Sequence, residues 1–206
     1  MKYPVLMLLA LASASLISAC GGGGGGDSST TTVQTGPLTL TGVVATGDPV
    51  KPATVANKVS VKCRSASGVS AEQSVNLLAN GSYAITLQDS SLPCVLQTDT
   101  DTKLSSLARG TGPGSAVANI TPVTTLVVAR VAGKDPVTFY ADFSTTSAAL
   151  ITTDGVSTAI TAVKNTLTKA GISLTGVVDL ITDTVSTDAS LTSSGTLDKA
   201  VAELVS

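Results

Sequence analysis

At Thr121 the hydrophobic rhythm of the chain changes from a period of 2 to one near 3.6, so strands precede this point and helices follow it. In "NKVSVKCR" Val59, Val61 and Cys63 alternate with Lys58, Ser60, Lys62 and Arg64, the pattern of a strand with one apolar face. "LTLTGVVA" reads as an earlier strand and "GDPV" as a turn. "SVNLLANGSYAITLQ" reads as a hairpin in which Asn80-Gly81 is the favoured type I′ pair. Beyond the switch, Thr121 suits an N-cap and Pro122 the first helical position, "VTTLVVARVA" continues, and Gly133 with Pro136 ends the run. Val156, Ile160, Val163, Leu167 and Ala170 mark a second helix after Asp154, closed by Gly171, and "TLDKAVAELVS" a last one with Leu197, Val201 and Leu204 on one side. These apolar stripes read as buried faces packing on their neighbours. The expected class is α+β: a small N-terminal β-sandwich over residues 37–120 and a helical region over 121–206.

What precedes residue 37 is of another kind. "MKYPVLMLLALASASLISA", residues 1–19, carries one cation, an apolar run and a small-residue end, the layout of a secretory signal peptide. The run is short for a membrane span, which needs about 20 apolar residues. Cys20 follows at once, then Gly21 to Gly26 and "DSSTTTVQTG". With no apolar side chain to offset the entropy of ordering, residues 20–36 are expected to form a flexible tether. As a random coil it would hold the folded part roughly 23 Å from its attachment point. A phosphate-binding glycine loop is a poor alternative, because no lysine, preceding strand or following helix pattern supports it.

"ISAC", Ile17 to Cys20, resembles the lipobox of bacterial lipoproteins. The resemblance implies cleavage before Cys20, a diacylglyceryl group on its sulfur and an acyl chain on its amine, so the expected partner is membrane lipid. Gly21 after the cysteine, where some lipoproteins carry an inner-membrane retention Asp, implies by the same resemblance the outer membrane of the cell envelope. "LTGVVATGDPVKPATV" followed by "ANGSYAITL" resembles the carboxypeptidase regulatory-like, prealbumin-type β-sandwich module of exported bacterial proteins. That module is a structural or binding accessory, which implies no catalysis. A wider resemblance is to lipoproteins that continue with "LPC" (Leu92 to Cys94), a Gly-rich turn (Arg109 to Gly114) and "NITPVTTLVVARVAG" (Asn119 to Gly133). Such lipoproteins usually continue past a "LD" step such as Leu197-Asp198, so the resemblance implies either a short member or a chain with a further C-terminal region.

The cysteines fit an exported chain. With Cys20 taken by lipid, Cys63 and Cys94 remain as an even pair suited to an oxidising compartment, either as a disulfide or as two buried thiols. Cys63 lies on the apolar side of its strand, where "LPCVLQT" can meet it, and this favours the bridge.

Composition narrows function mostly by exclusion. Without Lys2 the chain carries 11 basic and 14 acidic residues with no block of like charge, which gives no footprint for nucleic acid. The absence of His removes Ser-His-Asp triads, Cys-His pairs and His-based zinc sites. No GxSxG, SxxK, CxxC or Walker pattern is present, and no cofactor is expected. Asp99 and Asp101 in "QTDTDTKL" lack the glycine and terminal Glu of an EF-hand and read as a solvated turn. Asp179, Asp183 and Asp188 are spread through a Thr/Ser-rich stretch, although an acid–base pair can be built from carboxylates alone. Asn80-Gly-Ser and Asn119-Ile-Thr match glycosylation acceptors but read as a turn and a pre-helix segment. The favoured expectation is a non-enzymatic, lipid-anchored envelope protein acting as scaffold or protein-binding surface, with no catalytic or metal residues. The alternative is a carbohydrate- or polymer-binding surface module, for which the aromatic cluster "TFYADF", with Phe139, Tyr140 and Phe143, is the one stacking candidate.

Overall fold

The computed structural model describes residues 32–46, 57–187 and 196–205. It is α+β, with seven strands in one mixed sheet and five helices among these residues. The strands are β1 (Gly36–Val43), β2 (Lys58–Ser65), β3 (Gly68–Val69), β4 (Gln73–Asn76), β5 (Ser82–Thr98), β6 (Ser105–Gly112) and β7 (Gly114–Val117). The helices are α1 (Pro122–Ala132), α2 (Pro136–Ala141), α3 (Thr145–Ala149), α4 (Thr153–Lys169) and α5 (Thr196–Val205). The turn read at "GDPV" lies outside the described residues.

Hydrogen bonding joins all seven strands into one mixed sheet. The reason is β5, which runs for 17 residues and serves both edges. Its first half pairs antiparallel with β1, from Ser82↔Val43 to Ser90↔Gly36. Its second half lies between β2, with Val59↔Thr98 and Cys63↔Cys94, and β6, with Val95↔Leu107. Pro93 has no N–H to give a ladder, and it falls where both second-half ladders shift register, a bulge that lets the strand continue. A second shift lies at Asp89, which adopts φ +50° between the pairs Gly36↔Ser90 and Leu38↔Leu87. The stretch Arg109 to Gly114, expected as a turn, is strand apart from a bend at Pro113: positive φ at Gly110, Gly112 and Gly114 jogs the chain off β5, and β7 then runs parallel to β1.

The "LANGS" reversal also differs from the expected two-residue turn. Gly81 N–H donates to Leu78 O and Leu78 N–H to Ser82 O, which closes a three-residue loop. Only Gly81 of the pair has positive φ, at +76°, whereas a type I′ turn needs it at both positions. Asn80 instead accepts from the Ser82 N–H and hydroxyl through its side-chain oxygen. The two arms then part, β4 pairing with β2 while the start of β5 pairs with β1.

The helices follow the pattern of the sequence closely. Thr121 and Thr124 cap α1 reciprocally, Pro122 opens it and Gly133 closes it in the left-handed conformation. Along α4, capped by Thr152, the buried side chains are Val156, Ala159, Ile160, Val163 and Leu167. Leu197 and Val201 of α5 are buried, with Leu204 packed partly against the same core. Sheet and helices share one apolar cluster, from Leu38 and Leu40 through Val59, Leu96 and Leu107 to Val127, Val156 and Leu180.

Close packing at one strand position is the sharpest constraint in the sheet. A Cβ on Gly42 would lie 2.4 Å from Ala118 O and 3.0 Å from the Tyr83 ring, and the first of these atoms is backbone that cannot step aside. Gly42→Ala is therefore expected to destabilise the protein by about 1–3 kcal/mol. A thermal melt followed by circular dichroism should show Tm several degrees lower, while Thr41→Ala on the exposed side of the same strand leaves it nearly unchanged.

Candidate functional site

Cys63 and Cys94 form a disulfide joining β2 to β5, and both residues are fully buried. Their Cα atoms are 4.1 Å apart, and the two residues are direct register partners on the paired strands. Cys20 lies outside the described residues, as does Asp188.

The remaining carboxylates singled out from the sequence are dispersed. Asp99 and Asp101 occupy the exposed turn between β5 and β6. Asp179 is half-buried in the loop after α4, where its carboxylate pairs with the Arg109 guanidinium of β6 and accepts the Ile181 and Thr182 N–H groups. Burial pushes this carboxyl up, but the Arg109 hydrogen bond, the two backbone donors and the charge of Arg109 together outweigh it and hold it below the usual carboxylate range. Asp183 accepts the Val178 N–H at 2.6 Å. Among the described residues no group of three or more acidic, His or Cys side chains is placed to hold a metal ion. What Asp179 and Asp183 do here is shape one loop.

The aromatic cluster is interior. Phe139, Tyr140 and Phe143 are all buried, and the two phenylalanine rings meet edge to face at 5.9 Å. None of the three rings is exposed for a sugar to stack on, because α2 turns this face onto β2 and β5. Lys62, read from sequence as a solvent-side strand residue, reaches back over the helix instead. Its ammonium donates to Tyr140 O at 3.0 Å and Ala141 O at 3.2 Å, sits 4.6 Å from the centre of the Tyr140 ring, and lies 3.9 Å from Glu72. A cation on the last carbonyls of a short helix is favourable, and the ring face adds to it. The Tyr140 hydroxyl is buried without a hydrogen-bond partner, and burial together with the nearby Glu72 charge pushes the phenol far up, so it stays protonated.

Sequence reasoning also underrated Asn119. Its side-chain oxygen accepts the Val43 N–H at 3.0 Å, its amide donates to Asp183 O at 2.7 Å, and its own N–H donates to Ile181 O. Buried in this way, it is a structural clamp rather than a glycan acceptor. The motif match gave no signal of this, since all three partners lie more than sixty residues away. Compared with known proteins, the chain matches no family model, no curated sequence and no solved structure. No helix among the described residues is long and apolar enough to cross a membrane.

Two outcomes follow from these environments. The depressed Asp179 carboxyl contributes stability that is complete above the unfolded carboxylate pKa near 4 and is lost as pH falls through the lower folded value. Asp179→Asn should therefore be less stable than wild type at pH 7, with the gap closing in urea titrations as pH falls below the ordinary carboxylate range near 4. Tyr140→Phe removes an orphaned polar atom and keeps the ring under Lys62, so Tm should be unchanged or higher.

Proposed function

We propose that this chain is a lipid-anchored cell-envelope protein with a non-enzymatic scaffold or protein-binding role. The observation that carries the reading is the buried Cys63–Cys94 bridge, which suits a protein that matures in an oxidising, exported compartment. The N-terminal pattern of apolar run, "ISAC" and six glycines supplies the means of attachment, an acylated Cys20 followed by a slack tether. On this reading residues 37–120, which resemble prealbumin-type accessory modules, and the helices of 121–206 form a body held off the membrane, in the outer membrane by the identity of Gly21. The engaged state of the carboxylates supports a non-catalytic role: Asp179 holds Arg109, and Asp183 closes its own loop.

The experiment is to extract the protein from intact cells with detergent, measure its mass, and crosslink it in place. The mature mass should begin at Cys20 with added acyl groups. Cys20→Ala should move the protein to the soluble fraction and abolish the crosslinked protein partner that the wild type retains. An unmodified chain beginning elsewhere overturns the anchor, and reproducible absence of any protein partner overturns the scaffold role.

A further inference from the structure

We infer that the cleft beside the Asp89 bulge binds a neutral, hydroxyl-rich ligand, a short stretch of uncharged polysaccharide. This goes beyond the scaffold reading and does not depend on the anchor. The cleft has a volume of about 410 Å³ and lies where β5 swings from β1 to β2, between the bulge and the β2–β3 turn. Ser67, Ser70, Gln73, Thr86, Gln88 and Asp89 are among the residues that line it.

Asp89 is the one ionisable side chain in the lining, and no cation accompanies it. A phosphate, sulfate or carboxylate ligand would meet a like charge there with nothing to offset it. One carboxylate without a cluster of further acidic ligands is too little for a divalent ion. Seven of the eleven lining residues carry a hydroxyl or a carboxamide, set among Val69, Ala71 and Leu87, so an acyl chain would strip these polar groups of water without replacing their hydrogen bonds. What remains is a ligand that both donates and accepts and carries no charge.

The groups on offer match that ligand. The side chains of Gln73, Gln88 and Asp89 are exposed and make no hydrogen bond or ion pair with the described residues. Ser70 Oγ already accepts the Cys63 N–H at 3.0 Å, which leaves its own O–H to donate. A carboxylate next to a carboxamide can take two neighbouring hydroxyls of a sugar ring, one through its acceptor oxygens and one through an N–H or amide oxygen. Asp89 is presented there by the bulge itself, with φ +50° re-aiming a side chain that regular pairing would have pointed elsewhere.

The surface running away from the cleft has the same character, and this argues for a polymer rather than a single sugar. Thr86 lies opposite Thr39 in β1, their hydroxyl oxygens 3.1 Å apart, and Thr39 lies opposite Ser115 in β7. One step along the strands, Ala84, Thr41 and Val117 form the next row on the same side. β1, β7 and residues 82–88 contain no charged side chain, and Tyr83, the one ring among them, is buried on the opposite face. A chain of sugars leaving the cleft would therefore cross an uncharged ledge of hydroxyls without displacing a hydrated ion.

The test is a titration of the full chain, ¹⁵N-labelled, with maltotriose, chitotriose and mannotriose, each to about 20 mM, since a site without aromatic stacking is expected in the millimolar range. At least one should shift the amide resonances of Ser67, Ser70, Gln73, Gln88 and Asp89, with smaller shifts along Thr39 and Thr41. Asp89→Asn, whose side chain tolerates the left-handed conformation, and the double variant Gln73→Ala, Gln88→Ala should each weaken that binding at least about tenfold while leaving the rest of the spectrum in place. All the changed positions are exposed, so folding is not at stake. No shift with any of the three sugars, shifts centred elsewhere, equal binding by the variants, or stronger shifts with inorganic phosphate than with sugar would each overturn the inference.

Discussion

Cys63 and Cys94 face each other as direct register partners, and the strand that carries Cys94 is the one to which β1, β2 and β6 all pair. Because side chains alternate across a strand, a one-residue slip between β2 and β5 would carry Val59, Val61 and Leu96 from the core to the other face. The covalent bond at Cys63↔Cys94 forbids that slip. Closing a loop with a sequence separation of 31 also restricts the unfolded chain, worth roughly 3–4 kcal/mol in the chain-entropy description. A chain with 2% aromatic residues builds its core from Val, Leu, Ile and Ala, and such small side chains each bury little area. The bridge adds a fixed register to a core of small aliphatic side chains.

From that fixed strand, order passes to the helices through the segment around Asn119. Tyr83 of β5 donates its hydroxyl to Ala118 O, and burial keeps that phenol protonated so the donor is always present. Asn119 then ties β1 to the loop that contains Asp183, and Thr121 caps α1. Thr124 completes the link, giving its hydroxyl to Ser105 O at 2.9 Å at the start of β6. Four consecutive residues, Ala118 to Thr121, thus receive or give the polar contacts that seat one layer on the other. The same geometry explains why Gly42 must lack a side chain, since Ala118 O occupies the space. It also explains why Asp179 and Asp183 are spent on loop shape: their loop returns to this junction through Ile181 O and Asp183 O.

Features governed by neighbours in sequence were legible, and features governed by distant pairing were not. The caps at Thr121 and Gly133, the stripe from Val156 to Leu167 and the inward side of Val59, Val61 and Cys63 follow from local spacing, and all are found. The bridge was legible because an even pair of cysteines met an apolar strand face. The single sheet was not, because nothing near "SSLPC" announces that β5 continues through a proline to gain two new neighbours. The "ANGS" loop misled for a related reason: Asn-Gly fits a two-residue hairpin, yet β4 and β5 go to different partners, so no two-stranded twist selects that turn. The short helices α2 and α3, six and five residues long, carry too few positions to show a period. In the site, Lys62 reads as solvent-facing by alternation, and only the packing of α2 over β2 gives its ammonium two carbonyls and a ring.

The distribution of side chains over the two sides of the sheet bears on how such a protein engages anything at all. Among the described residues the rings lie inside, under Lys62 and against one another, while the open side of β1, β7 and the start of β5 is covered by Thr, Ser, Ala and Val117. A surface without aromatics or charge gains little per contact, since each hydrogen bond to a ligand replaces one to water. Affinity there has to come from repetition: a polymer that offers the same hydroxyl many times, or many copies of the protein held in one plane. A tether beginning at an acylated Cys20 would supply the second, confining every cleft within a few nanometres of the membrane and turning rebinding into an event at high effective concentration. On the proposed reading, weak individual sites and a lipid anchor would be parts of one physical solution, in which the membrane would provide the avidity that the side chains of the cleft do not.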